Sequence, residues 1–218
     1  MSRAPRGHAS RASRSPAART GLRIIAGRLK GRRLLTPDWP GLRPTSDRLR
    51  ETLFNVLRDV IPGARVLDAF AGTGALGIEA LSRGAAHVTF ADADRRALDL
   101  IAANVSRSGV SEGYTIVRAD LARSGAVFPP QFDVVLADPP YDMPPAPVLA
   151  GLSDAVVEGG LVVLEHARRV AVPERVGTLR RTRVLEAGES ALSFYRRDPS
   201  TSNDAGPAEP AVEDGGEA

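Results

Sequence analysis

The sequence predicts an α/β fold, a mostly parallel sheet of seven strands with helices against it, preceded by a β-hairpin and a helix. Three observations carry that expectation. From Arg65 onward, short runs rich in Val, Leu, Ile and Phe alternate with segments of helical apolar period, the pattern of a parallel sheet with crossover helices. The first run enters a glycine-rich turn, RVLDAFAGTGALGIE at Arg65–Glu79, that opens a helix. Four successive runs also end on an acid, Asp68, Asp92, Asp120 and Asp138, and doubly wound sheets hold their ligands outside the carboxyl ends of the strands.

In chain order, residues 1–20 are rich in Arg, Ser, Ala and Pro and hold no acid, which reads as a disordered basic arm. Leu22–Ala26 and Arg32–Leu35, joined by Gly27-Arg28-Leu29-Lys30-Gly31, read as a hairpin carrying Arg23, Arg28, Lys30, Arg32 and Arg33. Those cations stand close enough to meet several phosphates; a solvated edge that only discourages aggregation is the plainer alternative. Asp38-Trp39-Pro40-Gly41 is a turn, with Trp39 as a packing anchor. A helix of about fifteen residues follows, with Thr45 or Ser46 as N-cap and Asp47 in its first turn. Leu49, Leu53, Val56, Leu57 and Val60 form its sheet-facing stripe and Arg48, Glu51 and Arg58 its outer side, before Pro62-Gly63 ends it.

The next strands fall at Val66–Phe70, His87–Ala91, Tyr114–Arg118, Phe132–Ala137 and Leu161–Glu165, with helices at Ala75–Arg83 and Arg95–Val105 and another within Pro144–Val157. Gly159-Gly160 reads as a turn, and Thr178–Leu185 with Ala191–Arg196 as a closing hairpin split by Gly188. Residues 198–218 hold six acids and no base, an acidic tail expected to be disordered. The domain division is therefore an arm (1–20), a hairpin and helix (21–62), an α/β sheet domain (63–197) and a tail (198–218).

Composition narrows the function. With 218 residues and 43% apolar content the chain suits one globular domain plus appendages. It has no cysteine, which excludes disulfides and thiolate metal sites, and His8, His87 and His166 have no metal-ligand spacing, so no metal is expected. Residues 1–50 carry thirteen Arg or Lys against two acids, whereas the remainder carries sixteen against twenty-four. A basic end on a mildly acidic body points to a polyanionic partner contacted mainly by that end. No run is apolar enough to span a bilayer and no secretory signal stands at the start, so a soluble, cytoplasmic protein without a membrane partner is expected.

The glycine turn alone leaves two cofactors open, because Gly72, Gly74 and Gly77 also spell the G-x-G-x-x-G of dinucleotide binders, with Asp92 twenty residues beyond Gly72. Asp68 tilts the choice, since its carboxylate suits a ligand ammonium and would repel a pyrophosphate. The second signal is FDVVLADPPY at Phe132–Tyr141. Together the two stretches resemble the S-adenosylmethionine methyltransferases that modify exocyclic amines of bases. The resemblance implies a class I, Rossmann-like fold in which Asp68 orders the methionine ammonium. Gly72 and Gly74 admit the carboxylate, Asp92 takes the ribose hydroxyls and Asp120 the adenine amine. It implies too that Asp138 and the Pro139 carbonyl grip the acceptor amine while Tyr141 stacks on a flipped base.

A narrower resemblance is carried by RIIAGRLKGRRL at Arg23–Leu34, RPTSDRLRETLFNVL at Arg43–Leu57, LDAFAGTGALGIEALSRGA at Leu67–Ala85 and ADPPY at Ala137–Tyr141. These are similar to the RsmD family, which methylates guanine N2 in bacterial small-subunit ribosomal RNA, over about residues 22–197. The resemblance implies that the hairpin binds RNA and that Arg43 and Thr45 approach the cofactor or target base. It implies 16S rRNA within a partly assembled 30S subunit as partner, and a monomeric enzyme. A DNA adenine-N6 methyltransferase and a non-catalytic RNA-binding module remain the rival readings.

Overall fold

The computed structural model describes residues 19–37, 47–121, 128, 129 and 131–199. The basic arm up to residue 18, the turn at Asp38–Gly41, the cap candidates Thr45 and Ser46, Arg43, and the tail from residue 200 lie outside the described residues. The chain opens with an antiparallel pair, β1 (Arg19–Arg23) and β2 (Arg33–Thr36), in which Leu22 faces Leu34 and Arg23 faces Arg33. Its first strand takes in Arg19 and Thr20, two residues that composition assigned to the arm.

Helix α1 (Asp47–Val56) buries Leu49, Leu53 and Phe54, and Leu57 just beyond it is fully enclosed. Two positions depart from the expected stripe. Val60 is 39% exposed, because the helical run gives way to turns after Val56, whereas Phe54 is buried beneath the Arg83 guanidinium, 5.0 Å from its ring centre. Arg50, on the same helix, is wholly buried and donates to the Arg23 carbonyl at 2.8 Å and to Asp47 at 2.7 Å.

The main sheet is formed by β3 (Arg65–Ala69), β4 (His87–Asp92), β5 (Tyr114–Arg118), β6 (Phe132–Ala137), β7 (Val156–Ala167), β8 (Arg175–Val176), β9 (Leu179–Ala187) and β10 (Ser190–Arg197). Their spatial order is β5-β4-β3-β6-β7-β10-β9-β8, with β3 to β7 parallel and the last three antiparallel. The order reverses between β3 and β6, and the carboxyl rim at such a reversal is where sheets of this kind hold their ligands. Helices α2 (Ala75–Ser82), α3 (Arg95–Arg107) and α4 (Pro145–Leu152) make the crossovers. Asp94 caps α3, its side chain accepting from the Arg96 N–H at 2.9 Å.

Two expectations for the second half change. A two-residue strand, β8, joins the edge of the sheet as an eighth member, its Arg175 and the neighbouring Arg180 ion-paired with Asp198 at 3.0 and 3.2 Å. Gly159 and Gly160 are not a turn before a strand but lie inside β7, where the pairing with β6 shifts register between Phe132 and Val134. A side chain at Gly160 would stand 2.6 Å from Val156 Cγ2, so glycine permits a bulge there and the strand continues.

Two apolar layers cover the sheet. One joins Leu22, Ile24, Leu29 and Leu34 of the hairpin segment with α1, α2, α3 and one face of β3, β4 and β6; the other packs α4 on the opposite face. The hairpin is thus docked along α2 and α3. The buried Glu79 carboxylate accepts the N–H of Ile25 at 2.7 Å and of Ala26 at 3.0 Å, and Ser82 Oγ accepts from Leu29 at 2.9 Å.

Candidate active site

The glycine turn is shaped by backbone conformations that a side chain resists. Gly72 (φ 55°) and Gly74 (φ 77°) are both left-handed, and so is Phe70 (φ 60°), the one non-glycine residue with positive φ among those described. The turn closes through Gly74 N–H to Ala71 O at 2.7 Å and is tied to β4 through Ala71 N–H to Ala91 O at 3.0 Å. Gly77 lets α2 lie directly on the sheet: a Cβ there would fall 2.8 Å from Val88 Cγ1 and 2.9 Å from Asp68 Oδ2.

Asp92 lies across this turn. One of its oxygens accepts the Gly72 N–H and the other the Asp94 N–H, both at 2.9 Å. Each oxygen keeps a second lone pair, so the carboxylate positions the turn and still offers two acceptors at the rim. Asp120 follows β5 and is exposed at the same end of the sheet. Asp68 is different: it is 1% exposed, beneath the turn, and accepts the Gly77 N–H at 2.8 Å. Burial pushes its carboxyl well above the ordinary carboxylate range against the pull of the Gly77 hydrogen bond, and the charges of Asp138 and Asp92 add to the rise.

Asp138 belongs to the same rim. In the β3–β6 ladder Asp68 faces Leu136 and Ala69 faces Ala137, so the next pair along is Phe70 beside Asp138. The DPPY loop and the glycine turn are therefore adjacent, and the field of Asp138 is felt at Asp68. Pro139 is buried, whereas Tyr141 is 45% exposed and its hydroxyl shares a 2.9 Å hydrogen bond with Ser190 Oγ at the start of β10.

Of the basic residues, Arg23 is the last of β1, paired with Arg33 where the ladder meets the hairpin loop, and lies 3.6 Å from Asp47. Arg28, Lys30 and Arg32 lie at the closed end, against the far end of α2: Arg28 N–H reaches Ser82 O at 2.8 Å and Arg28 Nε reaches Leu81 O at 3.3 Å. Arg33 is exposed on β2, its carbonyl accepting from Arg107 Nε at 3.2 Å. Sequence reasoning missed Asn104. Fully buried, it donates to Leu35 O (3.0 Å) and Thr73 O (2.9 Å) and accepts the Leu35 N–H (2.7 Å), joining the hairpin to the glycine turn. Its signal was an amide on the apolar face of α3, in line with Ala97, Leu100 and Ile101. Ser190, which holds Tyr141, left no such mark.

A parallel sheet with its order reversed beside a glycine turn, and acids at or near the carboxyl ends of four strands, Asp68 within β3, Asp92 closing β4, and Asp120 and Asp138 beyond β5 and β6, define a class I, Rossmann-like methyltransferase fold. The same fold is found in a TehB-like SAM-dependent methyltransferase of Corynebacterium glutamicum, 19% identical, which covers 68% of this chain and 87% of its own at a TM-score of 0.53. Residues 22–196 match the family described as conserved hypothetical protein 95. The chain belongs to this family, the RsmD family. It is 35% identical over 190 residues to ribosomal RNA small subunit methyltransferase D of Escherichia coli K12, covering 84% of this chain and 94% of that one. The structure of a hypothetical protein from Thermus thermophilus is 30% identical, with a TM-score of 0.66 over 81% of this chain and 99% of its own.

Proposed function

We propose that this protein transfers a methyl group from S-adenosylmethionine to the exocyclic N2 of a guanine in 16S ribosomal RNA, acting as a cytoplasmic monomer on a partly assembled 30S subunit. The observation that carries the reading is the adjacency of Asp138 to the glycine turn across the β3–β6 ladder. Likeness to a ribosomal RNA small subunit methyltransferase over most of both chains supports RNA as the substrate.

The residues at the rim suit the cofactor. Gly72 and Gly74 leave the turn without side chains, Asp92 keeps lone pairs for a diol, and Asp120 is exposed one strand further on for an adenine amine. Asp68 lies beneath the turn as an acceptor for the ammonium, relayed by water because it is buried. When bound, S-adenosylmethionine supplies a methyl already activated on a sulfonium, which leaves alignment as the protein's task.

The acceptor amine is a poor nucleophile because its lone pair is delocalised into the base. The Asp138 carboxylate and the Pro139 carbonyl accept its two N–H bonds and draw the nitrogen toward tetrahedral geometry. Those hydrogen bonds strengthen as positive charge develops on nitrogen, so they favour the transition state over the ground state. Tyr141, with its hydroxyl held by Ser190, presents a ring on which the extruded base stacks. The hairpin cations Arg23, Arg28, Lys30, Arg32 and Arg33 take RNA phosphates, and the family resemblance adds Arg43 and Thr45 near the cofactor or base.

Incubation with tritiated S-adenosylmethionine and 16S rRNA, 30S particles or DNA tests this reading, followed by mapping of the modified nucleotide. Label on a guanine N2, lost in Asp138→Ala with cofactor affinity kept, is the expected result. Label on DNA adenine alone would transfer the reading to the N6 methyltransferases, and RNA binding with no transfer by the intact chain would leave only a binding module.

A further inference from the structure

A cavity of about 370 Å³ opens at the end of the sheet opposite the candidate active site, and the proposed reaction gives it no role. Its lining includes Arg28, Ala86, Gly109, Ser111, Glu112 and Gly113. Ala86 immediately precedes β4 and Gly113 immediately precedes β5, so the cavity lies at the amino ends of the strands, whereas Asp92 closes β4 and Asp120 follows β5 at their carboxyl ends. The separation can be read along one strand. From Ala86 to Asp92 there are six residues, which at about 3.3 Å each make roughly 20 Å.

The mouth of this cavity is basic. Arg28 is part of the wall. The Arg32 guanidinium lies over Gly109, with Nη1 2.8 Å from the point a Cβ would occupy. Arg107, from the last turn of α3, is held against β2 by its bond to the Arg33 carbonyl, and Lys30 is exposed at the closed end of the hairpin. Two cations are placed at this polar cavity, Arg28 in its wall and Arg32 over Gly109; Lys30 lies between them in the chain and Arg107 two residues before Gly109, and Glu112 is the one acid of the lining. Cationic clustering of this kind is the electrostatic footprint of a phosphodiester chain.

We propose that this basic cavity is a second site for the substrate RNA, receiving a backbone phosphate and its nucleotide about 20 Å from the methylated base. The proposal rests on the RNA reading of the active site and deepens it. No nucleotide beside the target base reaches across the height of the sheet, so both ends are engaged only by RNA folded or extended over that span. The enzyme therefore selects a structured rRNA region or an assembling particle over a short oligonucleotide bearing the same guanine.

The test measures binding of the intact chain to fluorescent RNA, with a folded rRNA fragment and a short single-stranded oligonucleotide, as a function of salt. In Lys30→Ala/Arg32→Ala/Arg107→Ala, the slope of log affinity against log salt for the folded fragment is expected to fall by about 0.7–0.9, the share of the one phosphate the site holds. Affinity for that fragment should drop at least tenfold, and preference for it over the oligonucleotide should collapse. Ser111→Trp, which fills the cavity and leaves the cations in place, should reduce the same preference. Lys30→Gln/Arg107→Gln, which changes only exposed side chains, repeats the measurement if the triple variant melts early. An unchanged slope and preference overturns the proposal. Loss in the cation variants with none in Ser111→Trp overturns the cavity and leaves a surface track. Because the readout is binding, an enzyme that binds in this way and methylates no RNA sinks the proposed reaction and spares the site.

Discussion

Replacing Asn104 by Leu tests whether one buried amide couples the hairpin to the cofactor turn. The substitution keeps the branched outline of the side chain and improves helix propensity, but removes the three hydrogen bonds to the Leu35 N–H, the Leu35 carbonyl and the Thr73 carbonyl. A buried group left without its partner costs about 1–3 kcal/mol, and less for a carbonyl, which has a second lone pair. Set against the added apolar surface, the net loss expected in urea unfolding is about 2–4 kcal/mol, with the m-value unchanged. Thr73 stands between the two left-handed glycines, so the turn should loosen with it. The expected consequence is a roughly tenfold weaker affinity for the demethylated cofactor by calorimetry, equivalent to about 1.4 kcal/mol. Asn104→Asp, which keeps only the acceptor for Leu35, should be no better than Leu. A stability within about 0.5 kcal/mol of wild type together with an unchanged cofactor Kd would refute the coupling.

Three further outcomes follow from the same contacts. Gly77→Ala should lift α2 from β4, because its Cβ meets Val88 and the Asp68 carboxyl; a loss of about 1–3 kcal/mol by thermal or urea unfolding is expected despite the better helix former, and a stabilised variant would contradict the packing. Tyr141→Ala should cost roughly ten- to hundredfold in kcat/KM for RNA, the worth of about 1–3 kcal/mol of base stacking, whereas Tyr141→Phe, which loses only the Ser190 bond, should fall less than tenfold; equal losses would make the hydroxyl the important group. Asp68 retains its proton in the fold at pH values where the unfolded chain, near 3.8, has released it. Its contribution to stability is therefore complete below 3.8 and disappears as pH rises through the elevated folded value, so Asp68→Asn should flatten that decline in unfolding measured across pH. An identical slope in the variant would place the proton elsewhere.

The sequence by itself determined the parallel strands up to β6, the crossover helices and the acids at or near the strand ends, because apolar period and glycine punctuation are local properties that survive in one dimension; the edge strand β8 and the run of β7 through Gly159 and Gly160 escaped it. It determined that Asp138 and the glycine turn share a rim as well, since both follow strands of one parallel sheet. What tertiary structure alone decided concerns partners distant along the chain. Leu35 meets Asn104 and Tyr141 meets Ser190 across 69 and 49 residues, and no local pattern specifies such pairs. Gly160 looked like a turn because a glycine that relieves a turn and one that relieves a bulge are the same residue; the contact with Val156 distinguishes them. Likewise, charge counting marked the hairpin as basic, but only its docking along α2 and α3 carries Arg28, Lys30 and Arg32 to the end of the sheet away from Asp138. Direction in space is set by packing of Leu22, Ile24, Leu29 and Leu34 into the shared core and by the ties of the hairpin backbone to Glu79, Ser82 and Asn104.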